Sequence, residues 1–212
     1  MLVAAVVGSG IMGERLAGGN AAIALLANTI ATGAALAALI ATFGWFSGAH
    51  FNPVVSLAMA LRGMMPWPEV PFYVAAQFSG GLVGTILAHL MFGHAWYSIS
   101  VHERSGLPLL VSEFVATFGL LCVIWGCMKA RSALATPVAV SSYIVAAYWF
   151  TASTSFANPA VTVARSVTNS FSGIRPVDVP GFVFAEIVGA LAATLIFGWL
   201  DEEPLTAPDE NP

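Results

Sequence analysis

Two Asn-Pro pairs carry the strongest chemical signal in this sequence. Asn52-Pro53-Val54-Val55-Ser56 recurs 106 residues later as Asn158-Pro159-Ala160-Val161-Thr162. Asn is a preferred helix N-cap, its side-chain oxygen accepting the first free backbone N–H groups. Pro suits the first helical position because its missing N–H would be unpaired there anyway. Each pair therefore predicts a helix start crowned by an amide with N–H donors of its own. The apolar stretches that follow, Val54 to Leu61 and Ala160 to about Val167, would make helices of roughly 12 Å, short of the roughly 30 Å of a bilayer's hydrocarbon. A single Asn-Pro is usually a turn, whereas a five-residue pattern repeated in two apolar halves is far more specific.

Few other residues carry chemistry. His50 stands two before Asn52, Glu113 and Glu186 stand near the starts of apolar runs, and Arg165 follows Val161 by four. A carboxylate in an apolar run is expensive unless it accepts hydrogen bonds, so Glu113 and Glu186 predict structural acceptors. Arg165, about 40° round and 6 Å along from Val161, either faces a vestibule or pairs near the helix end. His89, His94 and His102 do not stack on one helix face, so no metal site is expected. Cys122 and Cys127 fall about 140° apart on a helix and read as free thiols. No nucleophile and base, Gly-rich phosphate loop or paired catalytic acids accompany them; the expectation is no enzyme, no cofactor and no metal.

The elements that must hold these residues are membrane spans. Of the 212 residues, 58% are hydrophobic and 8% charged, against roughly 45–50% and 25% in soluble chains. Stretches without Asp, Glu, Lys or Arg run from Leu16 to Leu61, Val70 to His102 and Ser132 to Ala164, each long enough for a helix of about 20 residues to cross. Net charge is −4, with five of the eleven acids in the last twelve residues; the body lacks the basic face that nucleic acid requires. Turn residues and charges mark segments at 1–12, 21–46, 71–92, 109–128, 134–152 and 180–200. Five are long enough to span, and the first would be the later half of a helix that begins upstream of Met1. Five of the six tryptophans fall near segment ends, as an interfacial belt would place them.

The chain thus predicts a single all-α integral membrane domain over 1–200, a first repeat 1–92, a second 109–200, and an acidic disordered tail 201–212. Three spans per repeat is an odd number, so the two Asn-Pro helices must enter from opposite faces, as an inverted repeat of three helices plus one half-helix. Their N-termini would meet at the midplane, each bringing about +0.5 charge. Such a centre admits neutral hydroxylated solutes and repels cations and protons.

Ser47-Gly48-Ala49-His50-Phe51-Asn52-Pro53-Val54 and Asn158-Pro159-Ala160 resemble the two signature loops of the major intrinsic protein family, the aquaporins and aquaglyceroporins. Glu113-Phe114-Val115-Ala116-Thr117-Phe118 resembles the opening of that family's fourth helix. The resemblance covers residues 1 to about 200. It implies six tilted helices with two half-helices, a pore within each protomer of a homotetramer, His50 in the inner vestibule, and Glu113 holding backbone N–H groups of a half-helix. Three departures stand out: the acid expected at the start of helix one is absent along with that start, the first signature reads Asn-Pro-Val, and Val161 replaces the Arg that normally follows the second Asn-Pro-Ala.

The family's spacings place the other constriction residues at Thr32, Ala146 (or Val145 or Ala147 if the spacing slips by one) and Ser155. With Val161 these give a wide, neutral filter. Such a filter, and the run from Phe156 to Ser166, resemble bacterial aquaglyceroporins associated with arsenic resistance. The implied function is passive passage of glycerol, urea, metalloid hydroxides, methylated arsenicals and water across a bacterial inner membrane. The alternatives are a channel mainly for water, glycerol or ammonia, or a secondary transporter or membrane enzyme with half-helix sites.

Overall fold

The computed structural model describes residues 1–130 and 135–200, all-α with no strand among them. Eight helices follow in chain order: α1 Leu2–Leu16, α2 Ala21–Ser47, α3 Pro53–Leu61, α4 Val70–Met91, α5 Leu107–Ala130, α6 Ala135–Phe150, α7 Pro159–Arg165 and α8 Val179–Leu200. The segments read from charge and turn residues fall within about two residues of these bounds, except at the end of α1. α1 runs four residues past Met12, because Glu14 and Arg15 lie exposed beyond the apolar part of the bundle and tie to neighbouring loops: Glu14 accepts the Phe171 N–H at 3.2 Å and Arg15 donates to the Phe92 carbonyl at 3.1 Å. α7 stops at Arg165 rather than Val167, and α5 opens at Leu107. The acidic tail expected at 201–212 lies outside the described residues.

Local signals set the helix ends. Asn20 caps α2 by accepting the N–H groups of Ala22 and Ile23 at 3.0 and 3.2 Å, and Gly48 ends it in the left-handed conformation, φ 69°. α4 and α8 each follow a short 3-10 turn and carry a proline in their first turn. Four spans, α2, α4, α5 and α8, are long and apolar enough to cross a bilayer.

The bundle exposes large apolar side chains and buries polar ones beside an apolar core. Ile23, Ile30, Leu90, Val111, Phe184 and Leu195 point outward, while Asn28, Thr32, Thr85, His89, Glu113, Thr162 and Glu186 are buried. An apolar exterior with the polar groups sheltered inside is the distribution a lipid solvent favours. Trp45, Trp67, Trp96, Trp149 and Trp199 lie exposed near helix ends, and Trp125 alone is fully buried.

Packing repeats about a pseudo-twofold axis: α1 lies on α2 and α4 as α5 lies on α6 and α8, and α2 against α6 joins the halves. Each half-helix packs on both α4 and α8, so the two halves share their half-helix contacts. Close approach depends on missing side chains. A Cβ at Gly189 of α8 would come within 2.5 Å of the Phe114 carbonyl oxygen on α5. Side chains then tie each hairpin: Asn28 of α2 donates to the Val6 carbonyl of α1 at 2.8 Å, and Tyr143 of α6 donates to the Ala116 carbonyl of α5 at 3.0 Å.

Candidate pore and its constriction

α3 and α7 meet N-terminus to N-terminus inside the bundle. Asn52 Oδ1 accepts the Val54 N–H at 3.1 Å, and Asn158 Oδ1 accepts those of Ala160 and Val161 at 3.0 and 3.2 Å. The amide nitrogens reach across: Asn52 Nδ2 donates to the Ala157 carbonyl at 2.7 Å, and Asn158 Nδ2 to the Phe51 carbonyl at 2.8 Å. One N–H of each amide is thereby spent on bracing the opposite loop, and the second is left for the lumen. Pro53, Val54, Pro159 and Ala160 are buried behind the caps.

The loops that deliver these caps share an uncommon backbone. Ala49 and Phe51 have φ of 47° and 49°, and Ser155 and Ala157 have 50° and 48°, the same offsets of three and one before each Asn. Left-handed φ in non-glycine residues is costly and persists only where surroundings hold it. Glu113, fully buried on α5, supplies part of the holding. Its two oxygens accept the N–H groups of Phe156 and Ala157 at 2.9 and 2.7 Å. The bonded groups belong to the loop before Asn158, not to the half-helix itself.

A polar pair anchors each half-helix one turn past its cap. Ser56 accepts from Gln77 at 2.9 Å and shares a hydrogen with His50 Nδ1 at 3.0 Å; Thr162, four after Asn158, donates to Glu186 at 2.6 Å. His50 also packs against the Tyr73 ring at 5.4 Å.

A cavity of about 290 Å³ passes the junction, with His50, Asn52, Asn158, Thr32, Ser155, Val161 and Arg165 in its wall. Ala146 is not there. It lies exposed on the far side of α6, and Val140, Ile144 and Tyr148 of that helix face the cavity instead. Positions 140, 144 and 148 form one stripe at four-residue spacing, and Ala146 lies about 200° round from Tyr148. Neither Ala146 nor the single-residue alternatives Val145 and Ala147 are among the residues lining the cavity. From this helix a tyrosine, not the small residue expected, reaches Thr32, the Tyr148 Oη donating to Thr32 Oγ1 at 3.4 Å.

Arg165 ends α7 almost fully buried, at 2% exposure, its guanidinium carbon 3.4 Å from the centre of the Phe156 ring and its Nε donating to the Ser172 carbonyl. Arg104, 5.0 Å from the same ring, donates to the Gly173, Ser153 and Phe171 carbonyls and so clamps the loop before Asn158 to the one after α7. Burial pushes the Arg104 guanidinium below its usual value, opposed by attraction to Glu113. Tyr148 and Phe156 were not legible as pore residues in the sequence, nor was Arg104 as the clamp on the pore loop; only the four-residue stripe on α6 hinted at Tyr148. Among the described residues no cluster of three His, Cys, Asp or Glu side chains is placed to hold a metal ion.

Six helices and two half-helices capped by paired asparagines at a polar-lined passage define a membrane channel of the inverted-repeat class. The family model of the major intrinsic proteins matches residues 1–155. The chain is 54% identical over 200 residues to aquaglyceroporin AqpS of Rhizobium meliloti (strain 1021), covering 94% of this chain and 85% of that protein. It is 33% identical over 174 residues to aquaporin NIP1-3 of Oryza sativa subsp. japonica, covering 79% of this chain and 60% of the rice protein. The X-ray structure of the aquaglyceroporin from Plasmodium falciparum shares the fold at a TM-score of 0.61 and 18% identity, over 94% of this chain and 90% of that one. The chain belongs to the major intrinsic protein family. It is a multi-pass membrane protein and a passive channel for small uncharged solutes, not an enzyme.

Proposed function

We propose that this channel is of the aquaglyceroporin type, passing glycerol, urea, metalloid hydroxides and arsenicals beside water, as a homotetramer in a bacterial inner membrane. Val161 carries the reading. Apolar and uncharged, it lies in the cavity wall immediately after the second cap and its partner Ala160, so residue 161 itself adds neither the bulk nor the charge of a guanidinium to the lumen. Thr32 and Ser155 offer hydroxyls at the same constriction. Asn52 and Asn158 cap its centre, and His50 borders the approach on the α3 side. Glu113 holds the loop in register. The Tyr148 ring occupies part of the wall, which favours slender polyols and trigonal hydroxides over bulkier solutes and leaves water, glycerol and ammonia as the narrower reading.

Val161→Arg tests the assignment. Solute uptake and stopped-flow light scattering on proteoliposomes should show glycerol, urea and arsenous acid flux falling sharply while osmotic water flow persists, since a guanidinium there adds bulk and fixed donors. A folded variant with undiminished large-solute flux removes Val161 from the constriction.

A further inference from the structure

We propose that Arg165 and Ser155 form a solute-binding station in the pore wall, one that takes oxygen acceptors such as polyol hydroxyls and urea-type carbonyls. The same guanidinium is the constriction's cation barrier, a charge that residue 161 does not supply. The inference rests on the channel reading above and names the recognition chemistry of that site.

Two unpartnered polar groups meet the same cavity. Arg165 and Ser155 are 2% and 3% exposed, both line the passage beside Asn158 and Val161, and Arg165 Nη1 and Ser155 Oγ are buried without a hydrogen-bond partner. Buried polar groups nearly always find partners. In the wall of a conduit the missing partner is what passes through it.

The guanidinium is fixed before any solute arrives. One face lies on the Phe156 ring and Nε is committed to the Ser172 carbonyl. A planar fork so held directs its remaining N–H groups along one plane. Behind it, Ser172, Ser170 and Thr168 form a run of hydroxyl contacts at 3.3 and 2.9 Å that ends on His89 Nε2 at 2.8 Å, holding the loop that Arg165 leans on. Arg165 makes no ion pair among the described residues. Its charge therefore acts on the lumen, repelling cations and attracting the lone pairs of neutral oxygens. Ser155 can donate or accept beside it, which suits solutes presenting an acceptor next to a hydroxyl or amide N–H.

The test uses the full chain in proteoliposomes, with Arg165→Gln, Arg165→Lys, Ser155→Ala and the Gln/Ala double variant. Two readouts are taken: sodium leak, and inhibition of labelled glycerol uptake by urea. Arg165→Gln should raise the sodium leak about tenfold, with Arg165→Lys restoring the barrier, because charge and not shape sets it. The half-inhibiting urea concentration should rise several-fold in both Arg165→Gln and Ser155→Ala, and the double variant should add little if the two groups hold one solute. Equal leak in the Lys and Gln variants, or unchanged urea competition in Ser155→Ala, overturns the station. Ser155→Ala decides by itself if Arg165→Gln does not assemble. A parent protein that conducts no glycerol would instead overturn the channel type proposed above, a separable result.

Discussion

Replacing Glu113 by Gln separates a carboxylate that holds the pore loop from one that merely fills space. Both oxygens of Glu113 accept backbone N–H groups, from Phe156 at 2.9 Å and Ala157 at 2.7 Å, in a fully buried position. Hydrogen bonds to a charged acceptor contribute about 1.5–3 kcal/mol each. Gln keeps one acceptor oxygen but turns its amide nitrogen toward the other N–H, losing one such bond and leaving a buried donor unpaired at about 1–3 kcal/mol. The expected penalty is about 2.5–6 kcal/mol, concentrated on a loop that already holds Thr154, Ser155 and Ala157 at positive φ. Release of Ala157 also withdraws the carbonyl that receives Asn52 Nδ2, so both half-helix caps lose their register.

Thermal unfolding in detergent and stopped-flow flux on one preparation read the two consequences. Glu113→Gln should lower the melting temperature and depress water and glycerol flow together, because the loop shapes the lumen for every solute. Parent-like stability with parent-like flux would refute the reasoning: the two N–H groups would then not need a charged acceptor, and the loop geometry would be held elsewhere.

Asn158→Asp keeps an oxygen for the Ala160 and Val161 N–H groups but sets the other against the Phe51 carbonyl, now 2.8 Å from Nδ2; proton and sodium leak should rise above the parent's, and an unchanged barrier in proteoliposomes would argue against the caps lining the path. Tyr148→Ala should raise the glycerol-to-water flux ratio whereas Ala146→Leu should leave it alone, since only Tyr148 borders the cavity; the reverse result would reinstate Ala146. Asp178 accepts from Arg175 at 2.9 and 3.1 Å and from the Arg104 backbone N–H at 2.8 Å, and the Arg175 hydrogen bonds hold its carboxyl below the usual range. Its stabilising contribution is present above the unfolded value of about 3.9 and lost as pH falls through the lower folded value, so Asp178→Asn should flatten the acid limb of a melting-temperature profile, and an identical acid limb would sink that assignment.

How much of this was readable from residue types follows the range of the interactions. The half-helix starts were legible because a cap is local: Asn52 and Asn158 satisfy N–H groups two and three residues away, and proline marks the next position. The inverted repeat was legible because an odd number of spans leaves no other arrangement. Glu113 was legible as an acceptor because a carboxylate in an apolar run must be satisfied, although its partners, 43 and 44 residues distant, were not. The left-handed residues before each Asn were silent, since Ala49, Phe51, Ser155 and Ala157 are not the glycines that announce positive φ.

The facing of α6 failed for a different reason. Lipid and lumen both accept apolar side chains there, so polarity does not distinguish the inner stripe of Val140 and Ile144 from the exposed Val138 and Phe150. A family spacing counted back from Asn158 must also assume the length of the loop from Thr151 to Ala157, and a two-residue error turns the helix by about 200°. Arg165 shows the opposite limit. Its place four residues past Val161 was plain, but its commitment to Phe156 and Ser172 depends on a chain that leaves α7, folds back through Thr168 and Ser170, and is pinned by Arg104 from another loop. A sequence comparison that asks only what stands at position 161 reports a filter without a cation. The folded chain places one in the same cavity wall, a helical turn further on, so the positional rule and the chemistry it stands for have separated in this protein.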